Sequence, residues 1–229
     1  MTVTCIIIRN LPCRVETARN SSLRHDPLVI YDPNSPFQRV VDASPGWRIH
    51  HEMPLDTALD RCPEAVTLPA DSALYAQQWR AVINRLRGIR DSVDDAGQGT
   101  AYVRIDADDA APPAEPRLVA SLMACVPADW EPRVGVASDP LAAHCAASVA
   151  RPGHAVRVPD TTEPRHRFLA PLPVNLLPVD VHILAGLYDR GIHRLGQLDD
   201  LSAQGLTAML TEQSEAAPEA DHSTFPRAA

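Results

Sequence analysis

The sequence contains no lysine: all 21 of its basic residues are arginine. That absence excludes Schiff-base chemistry, a phosphate-loop lysine and a lysine general base. No C-x-x-C pair occurs either. The five cysteines, Cys5, Cys13, Cys62, Cys125 and Cys145, are scattered and odd in number. Such spacing argues against a disulfide framework or a zinc site and for reduced thiols in a cytoplasm. Glycine is scarce, with 10 residues against 22 prolines. Long apolar runs are missing too, since the one that opens the chain, Val3–Ile8, ends at Arg9. It is too short for a signal peptide or a membrane span, so the expectation is a soluble, cytoplasmic protein with no membrane contact.

What is present fits an ordinary globular chain. Its 229 residues predict one or two domains, and 45% hydrophobic with 22% charged residues excludes wholesale disorder. The net charge of −8 is unevenly spread. Residues 1–90 carry 11 arginines against 9 acids, residues 91–150 carry 3 against 10, and residues 151–229 carry 7 against 10. An overall acidic field does not attract nucleic acid, so any such contact must be local and arginine-based. Abundant alanine and proline beside absent lysine read most simply as a nucleotide-composition bias.

Val3–Ile8 is continuously apolar and β-branched, which predicts a strand buried on both faces. Residues 18–71 are broken by seven prolines, and the strand-like pieces Leu28–Tyr31 and Arg39–Asp42 suggest a small, turn-rich subdomain. Asp71 or Ser72 can cap a helix whose buried stripe is Tyr75, Trp79, Val82, Ile83 and Leu86. Thr100–Asp106 alternates, with Ala101, Val103 and Ile105 on one face. A helix over 117–126, a strand Arg133–Ala137, a helix over 139–150 and a strand Ala155–Val158 follow. The alternation predicts an α+β fold with a ferredoxin-like sheet and helices on one face. From Phe168 the pattern is helical, with helices near 179–190 and 194–201 around Gly191, a natural left-handed end residue. Residues 212–229 read as a polar, disordered tail.

Several stretches, in order, resemble the Y-family DNA polymerases that copy damaged templates, nearest their ImuB-like branch. Glu52-Met53-Pro54-Leu55-Asp56-Thr57-Ala58-Leu59 with Arg61-Cys62-Pro63 is similar to the fingers motif. Pro69-Ala70-Asp71 and Leu74-Tyr75 resemble the opening of the palm helix. Thr100-Ala101-Tyr102-Val103 sits where the family has DEAYLD. Gly135-Val136-Ala137-Ser138, Ala142–Ala146 and Arg151-Pro152-Gly153 match a further palm segment. Phe168-Leu169, Leu172-Pro173-Val174 and residues 187–201 resemble the thumb. The resemblance implies a palm over 1–17 and 72–160, a fingers insertion over 18–71, and a thumb with a helix-hairpin-helix over 161–211. The expectation is that the family's further DNA-gripping domain is missing, with only the polar tail where it would begin.

The family's reaction uses two metal ions, and hard Mg²⁺ requires oxygen ligands. Aligning on Val15-Glu16 and on Ala101-Tyr102, the three metal-binding carboxylate positions fall on Ile7, Gly99 and Thr100. The aromatic pair that gates the sugar falls on Leu11-Pro12, and two lysines near the triphosphate fall on Pro140 and His144. Arg151 retains a third basic position as a nucleotide-phosphate contact. The fingers arginine has no clear match in Ser44-Pro45-Gly46. The expectation is no catalytic residue and no resident metal. Among remaining acids, Asp42, Asp94, Asp95, Asp106, Asp108 and Asp109 read as solvated loop or strand-end groups. His50-His51 reads as a surface turn, and Ser138, His144 and Cys145 do not amount to a nucleophile triad.

The hairpin has its own rationale, because backbone N–H groups at helix ends hold phosphate without reading bases. Gly191, with Arg165, Arg167, Arg190 and Arg194, is the candidate nucleic-acid contact. The alternative at Gly191 is a plain helix end. Gln197–Leu201 bears a faint likeness to a sliding-clamp peptide but reads as core. The leading expectation is a catalytically inactive accessory in DNA repair or translesion synthesis. It would hold repair or replication proteins and, weakly and with salt sensitivity, primer–template DNA. The alternatives are a weak polymerase with a metal site relocated to acids such as Asp42 or Asp106, and an interaction module without DNA contact.

Overall fold

The apolar opening run becomes β1 (Thr2–Ile7), every residue of which is buried. In this computed structural model, which describes residues 2–97, 99–106, 114–177, 179 and 181–198, β1 is the centre of a five-stranded sheet. Its neighbours are β6 (Thr100–Ile105) and β7 (Arg133–Ala137), both antiparallel to it. β5 (Val93–Asp95) and β8 (Ala155–Arg157) form the edges. A strand between two neighbours with helices above and below can be apolar throughout, which explains the unbroken run.

One sheet face is a continuous apolar core. Ile6 and Ile8, Ala101, Val103 and Ile105, and Val134 and Val136 lie against α1 (Leu11–Arg19), α3 (Ser72–Arg87) and α4 (Ala114–Ala124). Asp71 caps α3 by accepting the Leu74 N–H at 3.0 Å, and Tyr75, Trp79, Val82, Ile83 and Leu86 are its buried stripe, as the spacing predicts. The opposite face carries α5 (Pro140–Val149), whose N-cap Asp139 accepts the Ala142 N–H at 2.9 Å. Helices therefore cover both faces, not one. Alanine-rich α5 can approach so closely because β7 offers no side chain there. A Cβ on Gly135 would lie 2.0 Å from the Ala143 carbonyl oxygen and 2.4 Å from the Ala147 nitrogen.

The proline-broken segment holds a second, three-stranded sheet. β2 (Leu28–Tyr31) pairs antiparallel with β3 (Val40–Ala43) and parallel with β4 (Val66–Pro69), with α2 (Leu55–Arg61) between. Val29, Val40, Ala43, Met53, Leu55 and Ala58 form its own core. The pieces Leu28–Tyr31 and 40–42 are as expected; β4 and α2 are not marked by apolar periodicity.

The chain divides into two units at Asp160/Thr161. In the second, α6 (Thr162–Leu169) and α7 (Val181–Asp189) are helical. The helix expected over 194–201 begins as a single 3-10 turn, Leu195–Leu198. Residues 199–201, the tail over 212–229, Asp108 and Asp109 lie outside the described residues. No helix among the described residues is long and apolar enough to cross a membrane.

Candidate functional site

The register of the sheet brings the three positions of interest together. Ile7 is the Cα partner of Thr100 on one side and of Arg133 on the other, and the Ile8 N–H donates to the Gly99 carbonyl at 2.8 Å. Directly opposed residues of an antiparallel ladder share a face, so Ile7, Thr100 and Arg133 form one row on the α5 side. Gly99 has φ +85°, and a Cβ there would sit 2.7 Å from the Ile8 carbonyl oxygen. This backbone accepts no side chain at position 99. The trio offers a single hydroxyl oxygen, from Thr100, and no carboxylate. Two neighbouring divalent cations need several carboxylates to offset their repulsion, so these residues do not fit a Mg²⁺ pair.

Arginine adjoins that row instead. Arg133 donates to the Ala150 carbonyl at 2.8 Å and Arg9 to the Ser148 carbonyl at 2.6 Å, so both hold the C-terminal end of α5. Partly negative carbonyls at a helix C-terminus suit a cation. Burial, and then the neighbouring Arg133, pull the Arg9 guanidinium below its usual range. Further along the face, the Tyr102 hydroxyl is 3.1 Å and the Cys5 thiol 3.9 Å from His144 Nδ1. Burial pushes Cys5 and Tyr102 each up to about 12. Burial, with Arg9 nearby, pulls His144 down. The trio is a neutral hydrogen-bonded cluster under α5, and Cys145, also buried, is pushed up to about 11. No nucleophile emerges.

Three of the acids that could have replaced the missing ligands are committed elsewhere. Asp42, on β3, accepts the Asn10 amide at 2.7 Å and the Cys13 backbone N–H at 3.0 Å, which caps α1 from the small sheet. Asp95 accepts the Trp79 indole N–H and the Gly97 N–H, both at 2.8 Å. Asp94 pairs with Arg104 at 2.8 Å on the surface. Asp106 is exposed just past the end of β6. No group of three His, Cys, Asp or Glu among the described residues is arranged to hold a metal ion. His50 and His51 are exposed, with His51 beside Glu52 at 3.4 Å. Leu11-Pro12 opens α1 and lines, with Val41, Asp42, Tyr75, Trp79 and Arg80, a cavity of about 500 Å³.

Arg151 is exposed in the turn after α5. In the second unit, α7 ends in a Schellman arrangement: Gly191 (φ +75°) donates to Tyr188 at 2.9 Å and Ile192 to Leu187 at 3.0 Å. The next two N–H groups, of His193 and Arg194, both donate to Gln197 Oε1, at 2.8 and 2.9 Å. All four hairpin amides are thus satisfied internally, and Gln197 holds the place an outside acceptor would take. Sequence reasoning missed this: Gln197, three residues after Arg194, has the spacing of a capping box. Arg190 is exposed and donates to the Gly186 carbonyl at 3.4 Å. Arg167 pairs with Glu163 at 3.1 Å on the exposed surface of α6, whereas Arg165 on the same helix is half-buried.

Comparison with known proteins agrees with this frame. Residues 6–148 match the IMS family, described as the impB/mucB/samB family. DNA polymerase IV of Dehalococcoides mccartyi (strain CBDB1) is 26% identical over 204 residues, which is 86% of this chain and 51% of that protein. The same polymerase from strain ATCC BAA-2100 is 25% identical over the same coverage. The chain thus spans about half the length of the curated relatives it matches. The crystal structure of DinB from Sulfolobus solfataricus shares the fold with a TM-score of 0.73 at 19% identity, covering 94% of this chain and 65% of that one. An insertion ternary complex of Dbh DNA polymerase shares it with a TM-score of 0.72 at 19% identity, covering 91% and 63%. The family match takes in the end of the central strand, the small sheet and the α5 face, and by it the chain belongs to the impB/mucB/samB family of Y-family DNA polymerase homologues.

Proposed function

We propose that this chain is a Y-family-like protein without nucleotidyl-transfer activity, acting as an accessory in DNA repair or translesion synthesis in the cytoplasm. One observation carries the reading: the row where the family resemblance puts metal-binding carboxylates is Ile7, Thr100 and a side-chain-excluding Gly99, with Arg133 beside them. The committed roles of Asp42, Asp94 and Asp95 count against a relocated metal site. In this reading residues 1–17 and 72–160 are the palm, 18–71 the fingers and 161–211 the thumb. DNA contact falls to Arg165, Arg167, Arg190 and Arg194 around Gly191, with Arg151 as a phosphate contact. Such contacts are electrostatic and weaken steeply with salt.

A second reading, an interaction module for repair or replication proteins without DNA contact, is favoured by the internally satisfied hairpin amides. Fluorescence anisotropy with primer–template across a salt series separates the two. Salt-dependent binding supports the first, and its absence at low ionic strength the second. The inactivity itself is tested by primer extension with Mg²⁺ and with Mn²⁺. No extension is expected; extension that co-purifies with the chain and survives a contaminating-polymerase control would overturn the reading.

A further inference from the structure

Arg9 and Arg133 stand out among the arginines of the first unit. Several of the others are ion-paired, Arg14 with Glu131, Arg24 with Asp129, Arg39 with Glu52, Arg104 with Asp94 and Arg157 with Glu115. Arg9 and Arg133 are adjacent cations with only carbonyl partners, and neither pairs with an acid among the described residues. A guanidinium has five N–H donors, and each of these two directs one at a carbonyl. The helix end they hold offers about half a negative charge, against two positive ones. The remaining donors have no acceptor in the described structure.

The placement is specific. Arg133 is the ladder partner of Ile7, and Arg9 reaches the same end of α5, on the same face. Thr100, half-exposed, completes the row. Arg151 follows Ala150, the residue whose carbonyl Arg133 holds. Its turn is tied back to the start of β7 by the Gly153 N–H donating to the Pro132 carbonyl at 2.8 Å. No carboxylate lies in this row. The fixed charge is positive where metal binding would require it negative.

We propose that this face directly binds a phosphate oxyanion, without a divalent cation, through Arg9 and Arg133 with Thr100 and Arg151 at its margins. Planar guanidinium groups match phosphate oxygens two at a time, and their position is fixed by the α5 carbonyls before the ligand arrives. The phosphate comes either from a nucleic-acid backbone or from a free polyphosphate. The proposal shares with the functional reading above the loss of the metal site, but the two fail separately. Phosphate binding is measured with EDTA present, and primer extension requires metal.

The experiment uses the whole chain in EDTA at low ionic strength, with tripolyphosphate and a single-stranded oligonucleotide as separate probes. Arginine labelling by phenylglyoxal, read by mass spectrometry on the unaltered protein, should show Arg9 and Arg133 protected by at least one probe. Protection by the oligonucleotide alone assigns a nucleic-acid backbone; protection by tripolyphosphate alone assigns a free polyphosphate. Arg133→Gln should weaken the protecting probe about tenfold or more, the size of one charge-assisted contact, while Arg133→Lys should restore part of the loss. Arg24→Gln, which breaks only a surface ion pair with Asp129, should leave tripolyphosphate binding unchanged. Thermal melting checks that the variants fold, and the labelling result stands even where one does not. Labelling of Arg9 and Arg133 unaffected by either probe, or protection confined to Arg190 and Arg194, overturns the proposal.

Discussion

The two faces of the five-stranded sheet are built on different terms. Beneath α1, α3 and α4 the side chains of the three central strands are buried and, Thr2 and Thr4 apart, apolar, and their identity follows from packing. Beneath α5 the same strands carry Val3, Cys5, Ile7, Thr100, Tyr102, Gly135 and Arg133, a mixture of apolar, small, polar and cationic groups. The first face holds the fold. The second is where chemistry can be gained or lost with the frame retained, because nothing in sheet formation calls for a carboxylate at positions 7, 99 or 100.

This contrast can be broken from either side. The largest effect is expected on the apolar face: Leu86→Ala, at a position with no exposure, should cost roughly 2–5 kcal/mol by urea unfolding. On the α5 face, Gly135→Ala should cost toward the upper end of the roughly 1–3 kcal/mol typical of overpacking, because the atoms in the way are α5 backbone. Circular dichroism with urea separates loss of α5 from global unfolding. Asp42→Ala, which removes the cap of α1 and leaves Asn10 without its carboxylate, should cost about 0.5–2 kcal/mol. Ile7→Asp with Thr100→Glu should fold, because Arg133 is at hand to pair the new acid, and its melting temperature should not respond to Mg²⁺.

The smallest effect is on pH dependence. Burial raises the pKa of Cys5 and Tyr102 in the folded chain, so the unfolded chain loses these protons first as pH rises. Stability from the two groups should be complete below about pH 9, the ordinary thiol value, and decline as pH climbs toward 12. His144 works in the opposite sense. Its lowered pKa means that the unfolded chain takes up the proton first, so stability should also decline as pH falls below 6.5. Thermal melts across pH, repeated on Cys5→Ala, check the alkaline limb.

How much of this could be read from the sequence follows from the same division. Ile6 announces itself by an unbroken apolar run, and Val103 and the α3 stripe by period, so β1, β6 and α3 were legible, whereas α1 on the same face was not. Helix α2 and strand β4 were not, because seven-residue and four-residue elements in a proline-rich segment leave no periodic signal. The pairing of Ile7 with Thr100 was readable only through the family resemblance. Its pairing with Arg133 was not, since ladder partners 126 positions apart carry no local mark. The helices' division between two faces turned on Gly135, whose role depends on a backbone approach that exists only in the folded chain. At the hairpin, Gly191 was legible as a helix end, whereas Gln197 needed the turn geometry to bring its amide oxygen to the two N–H groups.

The most direct test of the account is a Mn²⁺ titration of the whole chain, followed by electron paramagnetic resonance with primer–template and nucleotide present. With Ile7, Gly99 and Thr100 in place of ligands and Arg133 beside them, the signal of free Mn²⁺ should match that of the same mixture without protein. Tight uptake of two Mn²⁺ per chain, the stoichiometry of a two-metal polymerase site, would contradict it.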